Sequence, residues 1–387
     1  MLKRSNKIIS LLAIVAILLA ACAPATAVAP TEVPVVEIKI AFLGPLTGGA
    51  GFLGTEQLAF ARLAVEDFNK ANEGKYHATL TEEDTDITPD KAVPVAERVI
   101  ADSTTLGVVG PAGSGQVEAT GPLFNTANLV HVSSSATRPT LSTSGFKTFF
   151  RVVPNDDVQG PTDGNYIADV IKVKTVYVID EQSSYGVALA DIVQKTLDGK
   201  GVTTERASVT QNDSDFSALV TKIKAFNAEL VFFAGQVPSQ GALMAKQLKE
   251  QGLEIPVFGG DGFFSQKDYI DDAGGATEGS YASVFAPDIH GVAAANAVIA
   301  AADKAFPTWG SFGPPTYVAT MVILEAAVRA SGAGQLDREM VLAEVAKTNI
   351  ASTILGVPIK FDPTGEVIGA QFFISQVKAG KFVQVFP

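Results

Sequence analysis

Cysteine and histidine are nearly missing from this chain, and each shortage closes off a class of function. There is one cysteine, Cys22, and there are three scattered histidines, His77, His131 and His290. A single thiol cannot form an internal disulfide, and these residues cannot assemble a zinc-type ligand set. No EF-hand loop, P-loop or G-x-S-x-G elbow occurs, and no histidine sits at a candidate strand end beside a nucleophile. The residues therefore offer no catalytic group, no cofactor and no metal site of the zinc type, with a carboxylate site for calcium the one alternative left open. Basic residues are also scarce, 29 against 41 acidic ones, for a net charge of −12. Such a surface repels nucleic acid and anionic lipid. After Cys22 no uninterrupted apolar run reaches the length, about 20 residues, that a bilayer span requires.

The first residues carry a different pattern. Lys3, Arg4 and Lys7 precede an uncharged apolar stretch from Ile8 to Ala21, which reaches Cys22 through Leu19, Ala20 and Ala21. This is the pattern of an export signal ending in a lipobox, with Cys22 as the lipidated residue. Losing the three basic residues of the leader leaves 26 basic against 41 acidic residues, a net charge of −15. Residues 23–36 are Ala, Pro, Thr and Val with one Glu, a flexible linker that cannot bury a core. The folded body begins near Glu37, and its roughly 350 residues favour two domains over one.

Along the body, short apolar runs alternate with longer stretches of helical period. Candidate strands are Ile38 to Leu43, Leu106 to Gly110, Leu129 to Ser133, Thr175 to Ile179, Leu230 to Ala234 and Ile255 to Phe258. Candidate helices include Gln57 to Asn72, Asp90 to Asp102, Tyr185 to Lys200 and Phe216 to Phe226. This alternation predicts an α/β fold with parallel sheets flanked by helices. It runs before and after Arg151-Val-Val-Pro154, which predicts two similar lobes. Val153 precedes a proline and favours extended backbone, which suits a strand crossing between lobes.

Gly49-Ala-Gly51-Phe-Leu-Gly54 is a literal match to the dinucleotide fingerprint. In that fingerprint the first glycine ends the strand, whereas here Gly44-Pro-Leu-Thr-Gly48 intervenes and makes the turn too long. More telling are the polar clusters just past the strand ends: Gly113-Ser114-Gly115, Ser134-Ser135-Ala136-Thr137, Ser183-Ser184-Tyr185-Gly186, Gln236 and Asp261. Open α/β sheets bind ligands outside these ends. Ser114 stands before a helix expected to start near Gln116, where free N–H groups and the helix dipole receive a carboxylate. The Ser135–Thr137 turn offers hydroxyls and backbone groups, Asp261 is a counter-charge for an ammonium, and Tyr185 can close over the ligand. Together they suit a zwitterionic amino acid.

At these residues the chain resembles the branched-chain amino acid (Leu/Ile/Val) binding proteins of ABC importers, a type I periplasmic binding protein family. Ile38-Lys-Ile-Ala-Phe-Leu-Gly-Pro-Leu-Thr-Gly48 is similar to its first strand and loop, and Val132-Ser-Ser-Ser-Ala-Thr137 to its ligand turn. Ser184-Tyr-Gly186 is similar to the start of its second-lobe site, and Phe361-Asp-Pro-Thr-Gly-Glu366 to its last crossing. The resemblance implies a Venus-flytrap of two lobes joined by three crossings. The first lobe would comprise residues 37–153 with 286–362, and the second 154–285 with 363–387, behind the leader at 1–22. It also implies that Ser114, Ser135, Ala136 and Thr137 hold the ligand's α-groups, with Tyr185 and Asp261 completing the site. Leu53 and Phe312 fall at side-chain-pocket positions, and Gln236 stands where an aromatic is common, so a polar ligand group is an open alternative to a branched chain. The expected role is capture of a small amino acid at the outer membrane face by a monomeric, lipid-anchored protein, with delivery to an ABC permease and its ATPase subunits. The rival role is a sensory receptor feeding a signalling partner.

Overall fold

Apolar runs become buried strands wherever helices cover both their faces, and this chain supplies such runs twice over. The computed structural model describes residues 34–306 and 308–387, so the leader, Cys22 and most of the expected linker lie outside the described residues. The strands of the first lobe are β1 (Val36–Gly44), β2 (Tyr76–Asp84), β3 (Thr105–Val109), β4 (Val130–Ser133) and β5 (Phe149–Arg151). Those that follow are β6 (Thr175–Asp180), β7 (Thr203–Ser208), β8 (Leu230–Ala234), β9 (Val257–Gly259) and β10 (Tyr281–Val284). A short pair, β11 (Asn349–Ile350) and β12 (Ile359–Lys360), precedes β13 (Phe373–Lys378) and β14 (Lys381–Phe386). The helices are α1 (Gly51–Ala71), α2 (Pro89–Ala101), α3 (Ser114–Thr126), α4 (Asp156–Asn165) and α5 (Ser184–Gly199). They continue as α6 (Ser217–Phe226), α7 (Pro238–Glu250), α8 (Asn296–Ala305), α9 (Gly313–Gly332) and α10 (Arg338–Ala346).

The first sheet has the order β2-β1-β3-β4-β5 and is parallel throughout. The second repeats that order as β7-β6-β8-β9-β10, also parallel. It then adds β13 and β14, which run antiparallel along one edge. Each sheet thus has one switch point, between β1 and β3 and between β6 and β8, where successive connections leave in opposite directions and open a crevice at the strand ends. Both sheets belong to one unit, Val36–Pro387.

Strand β8, Leu-Val-Phe-Phe-Ala, is apolar at every position because both its faces are covered. Val231 and Phe233 pack with Val220 and Ile223 on one face, while Leu230, Phe232 and Ala234 pack with Leu189 and Val193 on the other. The first core likewise joins Ile40, Phe42 and Val132 of the sheet to Phe60 of α1 and to Val318 and Val322 of α9. Burying a side chain of this size contributes about 1.5–3 kcal/mol. The chain passes between the lobes three times. It leaves the first sheet after Arg151 and enters α4, which packs on α5. It returns between Val284 of β10 and Ile289 of the first core, and crosses again between Val367 of that core and Phe373 of β13.

Candidate functional site

In the first lobe, side-chain hydrogen bonds weld two strand ends into one surface. Helix α3 begins at Ser114 itself, two residues earlier than the expected start near Gln116, so Ser114 lies within the first turn, where N–H groups have no intrahelical partner. Ser133 Oγ donates to the Pro111 carbonyl at 2.7 Å, and Ser135 Oγ donates to the Ala112 carbonyl at 2.9 Å. Gln57 Nε2, from α1, donates to Ser134 Oγ and Ser135 Oγ, each at 2.9 Å, and Ser134 pairs with Thr316 at 2.7 Å. Ser114 Oγ accepts from the Arg138 N–H at 3.3 Å. Ser114, Ser135, Ala136 and Thr137 are thereby brought together and buried. Arg151, fully buried, donates to the Ala136 and Arg138 carbonyls, both at 2.9 Å, and forms an ion pair with Glu366.

In the second lobe, Ser183 caps α5 by accepting the Gly186 N–H at 2.9 Å, which sets Tyr185 in the first turn facing inward. Tyr185 Oη donates to Asp261 Oδ1 at 2.8 Å. Asp261 opens a tight turn after β9, and glycines on both sides let that turn slide beneath its neighbours. A Cβ on Gly260 would lie 2.2 Å from Tyr185 Oη, and one on Gly262 would lie 2.2 Å from the Gly235 carbonyl. Tyr185 and Asp261 are 3% and 4% exposed, so the pair is dry. Burial pushes the Asp261 carboxyl up to about 6, against the opposing hydrogen bonds from Tyr185 and Gln159.

Three further groups were not visible in the sequence. Asp156 N–H donates to the Thr137 carbonyl at 2.9 Å, which ties the start of α4 to the Ser135–Thr137 turn of the first lobe. Its carboxylate is fully buried, and burial, then the nearby Asp261, push it up to about 8, against the opposing hydrogen bond of the Thr137 side chain. Asp163 is also buried and driven well above the ordinary carboxyl range, chiefly by burial, with Ser283 donating to it at 3.0 Å. Gln159 Nε2 donates to the same Ser283 at 2.9 Å. Uncompensated buried carboxyls of this kind demand a cation or a proton. Among the described residues, no group of three acids, histidines or cysteines is placed to hold a metal ion.

The remaining expected residues sit apart from this polar centre. Leu53 and Phe312 pack in an apolar cluster with Ala112, Val153, Phe285 and Phe372, beside the crossings. Phe312 meets Phe52 and Phe285 edge-on at 5.8 and 5.3 Å. Gln236 follows β8, where its amide oxygen accepts from Gln211 at 3.4 Å on the wall of a cleft of about 610 Å³. Across the mouth of that cleft the lobes touch. Arg138 Nη1 donates to Ser184 Oγ at 2.8 Å, Ser184 Oγ donates to Glu118 at 2.6 Å, and Arg138 pairs with Glu118 at 3.1 Å. The fingerprint-like glycines serve packing: Gly54 lies inside α1, where a Cβ would fall 1.9 Å from the Pro45 carbonyl.

Comparison with known proteins places this geometry. The family profile of the periplasmic binding proteins matches residues 37–381. A leucine-, isoleucine-, valine-, threonine- and alanine-binding protein of Pseudomonas aeruginosa is 31% identical over 87% of this chain and 89% of its own length. A leucine-specific-binding protein of Salmonella typhimurium is 28% identical over 88% of this chain and 90% of its own. Among solved structures, a leucine-binding protein from Thermotoga maritima superposes with a TM-score of 0.82 at 24% identity, covering 90% of this chain and 97% of that one. A branched-chain amino acid transporter substrate-binding protein from Streptococcus pneumoniae, in complex with isoleucine, gives 0.80 at 23% identity over 91% and 100%. The structural likenesses share the two-lobed α/β architecture described above.

Proposed function

This chain belongs to the periplasmic binding protein family, as a solute-binding protein and not an enzyme, and from that premise we propose that it captures a small α-amino acid. The observation that carries the reading is the pairing of unlike surfaces across the buried centre. On one side stands the N-terminal end of α3, with Ser114, Ser135 and the Thr137 hydroxyl. On the other stand Asp261, held by Tyr185, and the buried carboxyl of Asp156. A carboxylate answers the first and an ammonium the second. The branched-chain ligands in the relatives' names set the size class: a small side chain beside the apolar cluster of Leu53 and Phe312. A thermal-shift screen of the purified protein against the common amino acids, with their deamino and decarboxylated analogues, tests this. Saturation at a hundred times Kd should add about 2.7 kcal/mol of apparent stability, and analogues lacking either charged group should add far less. Equal shifts from the analogues would refute the zwitterion site.

In the cell, the closed, loaded protein delivers its amino acid to an ABC permease driven by ATPase subunits, from the outer face of the membrane, as a monomer. Cys22, the only cysteine of the chain and preceded by Leu19-Ala-Ala, is the attachment point of the lipid anchor. Cys22→Ala should release the protein from the membrane or leave its leader uncleaved. A variant that still carries diacylglycerol would overturn the anchor.

A further inference from the structure

Two consecutive residues of α1, Glu56 and Gln57, reach both halves of the site: the turn at Ser135–Thr137 and the apolar wall at Phe312. The directions of the hydrogen bonds are forced, because a hydroxyl has one proton to give. Thr316 Oγ1 gives its proton to the Phe312 carbonyl at 2.8 Å, so in its 2.7 Å contact with Ser134 it accepts. Ser135 gives its proton to the Ala112 carbonyl. Gln57 then donates to both serine oxygens, one N–H of its amide to each. A directed chain results, from Gln57 through Ser134 and Thr316 to the carbonyl of Phe312. Gln57, Ser134 and Thr316 are at most 2% exposed, so solvent does not compete for these bonds. The same peptide unit is held from its other end. Its N–H, on Gly313, donates to Glu56 Oε1 at 2.5 Å. Gly313 opens α9, where N–H groups have no intrahelical partner. Glu56 answers them: burial pushes its carboxyl up to about 7, with the N–H groups of Gly313, Gly310 and Phe312 acting in the opposite sense. The two paths close into a ring through α1, the Ser134–Ser135 turn and the start of α9. The Phe312 side chain, fully buried against Phe52 and Phe285, hangs from the clamped peptide.

We infer that Glu56 and Gln57 are positioning residues that set the distance from the Ser135–Thr137 turn to the Phe312 ring, and thereby the length of side chain the site accepts. The inference rests on the amino-acid reading above, and neither residue has to touch the ligand. An extra or missing methylene in an apolar pocket changes affinity about ten- to two-hundredfold. That discrimination needs fixed walls, so a loosened wall loses it before it loses binding. The two residues differ in reach: Glu56 holds only the wall, whereas Gln57 also holds Ser135 and with it the turn.

Calorimetric titration of the purified protein with alanine, valine and leucine decides the matter, repeated on Glu56→Met, Glu56→Gln and Gln57→Met. The wild type should spread the three Kd values over at least about tenfold. Glu56→Met keeps the volume and loses the acceptor, so the spread should fall below about threefold while the weakest ligand keeps its affinity within about threefold. Glu56→Gln retains an acceptor oxygen and should restore the wild-type spread. Gln57→Met should narrow the spread and also weaken all three ligands by about tenfold, since the turn loosens too. Glu56 is only half-buried, so its variants report even if the loss of Gln57 disturbs folding. Trp309, the one tryptophan of the chain, packs on Phe60 at 5.4 Å, and a Cβ on Gly313 would lie 2.2 Å from that same ring. Its emission should therefore shift in Glu56→Met and return in Glu56→Gln. A wild-type spread below about threefold, or a spread that survives Glu56→Met, would overturn the inference while leaving the amino-acid reading in place. If none of the three binds, the small-amino-acid reading and this inference fall together.

Discussion

Asp261→Ala should weaken the best amino-acid ligand by at least about thirtyfold, or roughly 2 kcal/mol, and leave the unliganded fold intact. The carboxylate is 4% exposed and held by Tyr185 at 2.8 Å, so an ammonium against it forms a charge-assisted contact with little competing water. Such contacts are worth about 1.5–3 kcal/mol each, and stranding the buried partner charge costs about 2–5 kcal/mol. The free protein pays no comparable penalty on truncation, because the carboxyl is disfavoured there: burial has raised it to about 6. The sign of the pH dependence follows. Asp261 at about 6 and Asp156 at about 8 both hold protons in the folded, unliganded state that the unfolded chain releases from about pH 4 upward. Stability of the unliganded protein therefore falls as pH rises from about 4 to about 8. Ligand affinity moves the other way, since an ammonium favours the ionised carboxyls, and it should climb between pH 5 and pH 8. Calorimetric titration of both proteins across that range measures each effect. Equal affinities in wild type and variant, with a flat pH profile, would place Asp261 outside the site.

Arg151→Ala is expected to cost about 3–5 kcal/mol of stability, the range for removing one partner of a buried ion pair. The guanidinium is fully buried, and its donors are committed to Glu366 and to the carbonyls of Ala136 and Arg138. Its loss leaves a carboxylate and two carbonyls without partners, and it loosens the turn that carries Ala136 and Thr137. Ligand affinity should fall with stability. The double variant Arg151→Met, Glu366→Leu separates the two effects: an apolar pair of similar volume recovers much of the stability, yet cannot hold the turn by hydrogen bonds. Urea unfolding with and without ligand reads both quantities. A loss below about 1 kcal/mol in the single variant, the value of an exposed pair, would mean that the pair does not organise the lobe.

The central strands were legible because most of their positions are apolar, all five of them in Leu230–Ala234. Leu230–Ala234 was bounded to the residue, and Thr175–Ile179 falls one residue short of β6. Tyr76–Asp84 and Thr203–Ser208 were not read as strands: they lie at the sheet edges, bury less, and their Thr, Glu and Arg content looks like loop. The polar residues past the strand ends announced the first-lobe surface, and the fold gathers Ser114, Ser135, Ala136 and Thr137 into it. Asp156 stayed hidden for a different reason. Asn155 caps α4, so an acid in the following turn reads as ordinary complement to the helix dipole. Only the hydrogen bonds that join Gln159 and Asp163 to Ser283 of β10 reveal that this stretch of α4 is buried with its acids. Gln57 and Thr316 were equally silent, because their partners lie 77 and 182 residues away along the chain.

That distance matters most for Arg151 and Glu366, which are 215 residues apart. A ribosome adding about 5–20 residues per second emits the arginine on the order of ten to forty seconds before its partner. Throughout that interval the first sheet exists as sequence, but the ion pair that fixes the turn at Ala136 and Thr137 does not, and Val318, Val322 and Val367 of the same core are also still to come. The first lobe thus cannot complete itself while the second is being made. A nascent chain of this design stays incompletely folded until synthesis is nearly finished, the state in which a polypeptide can still be threaded through a narrow translocation pore.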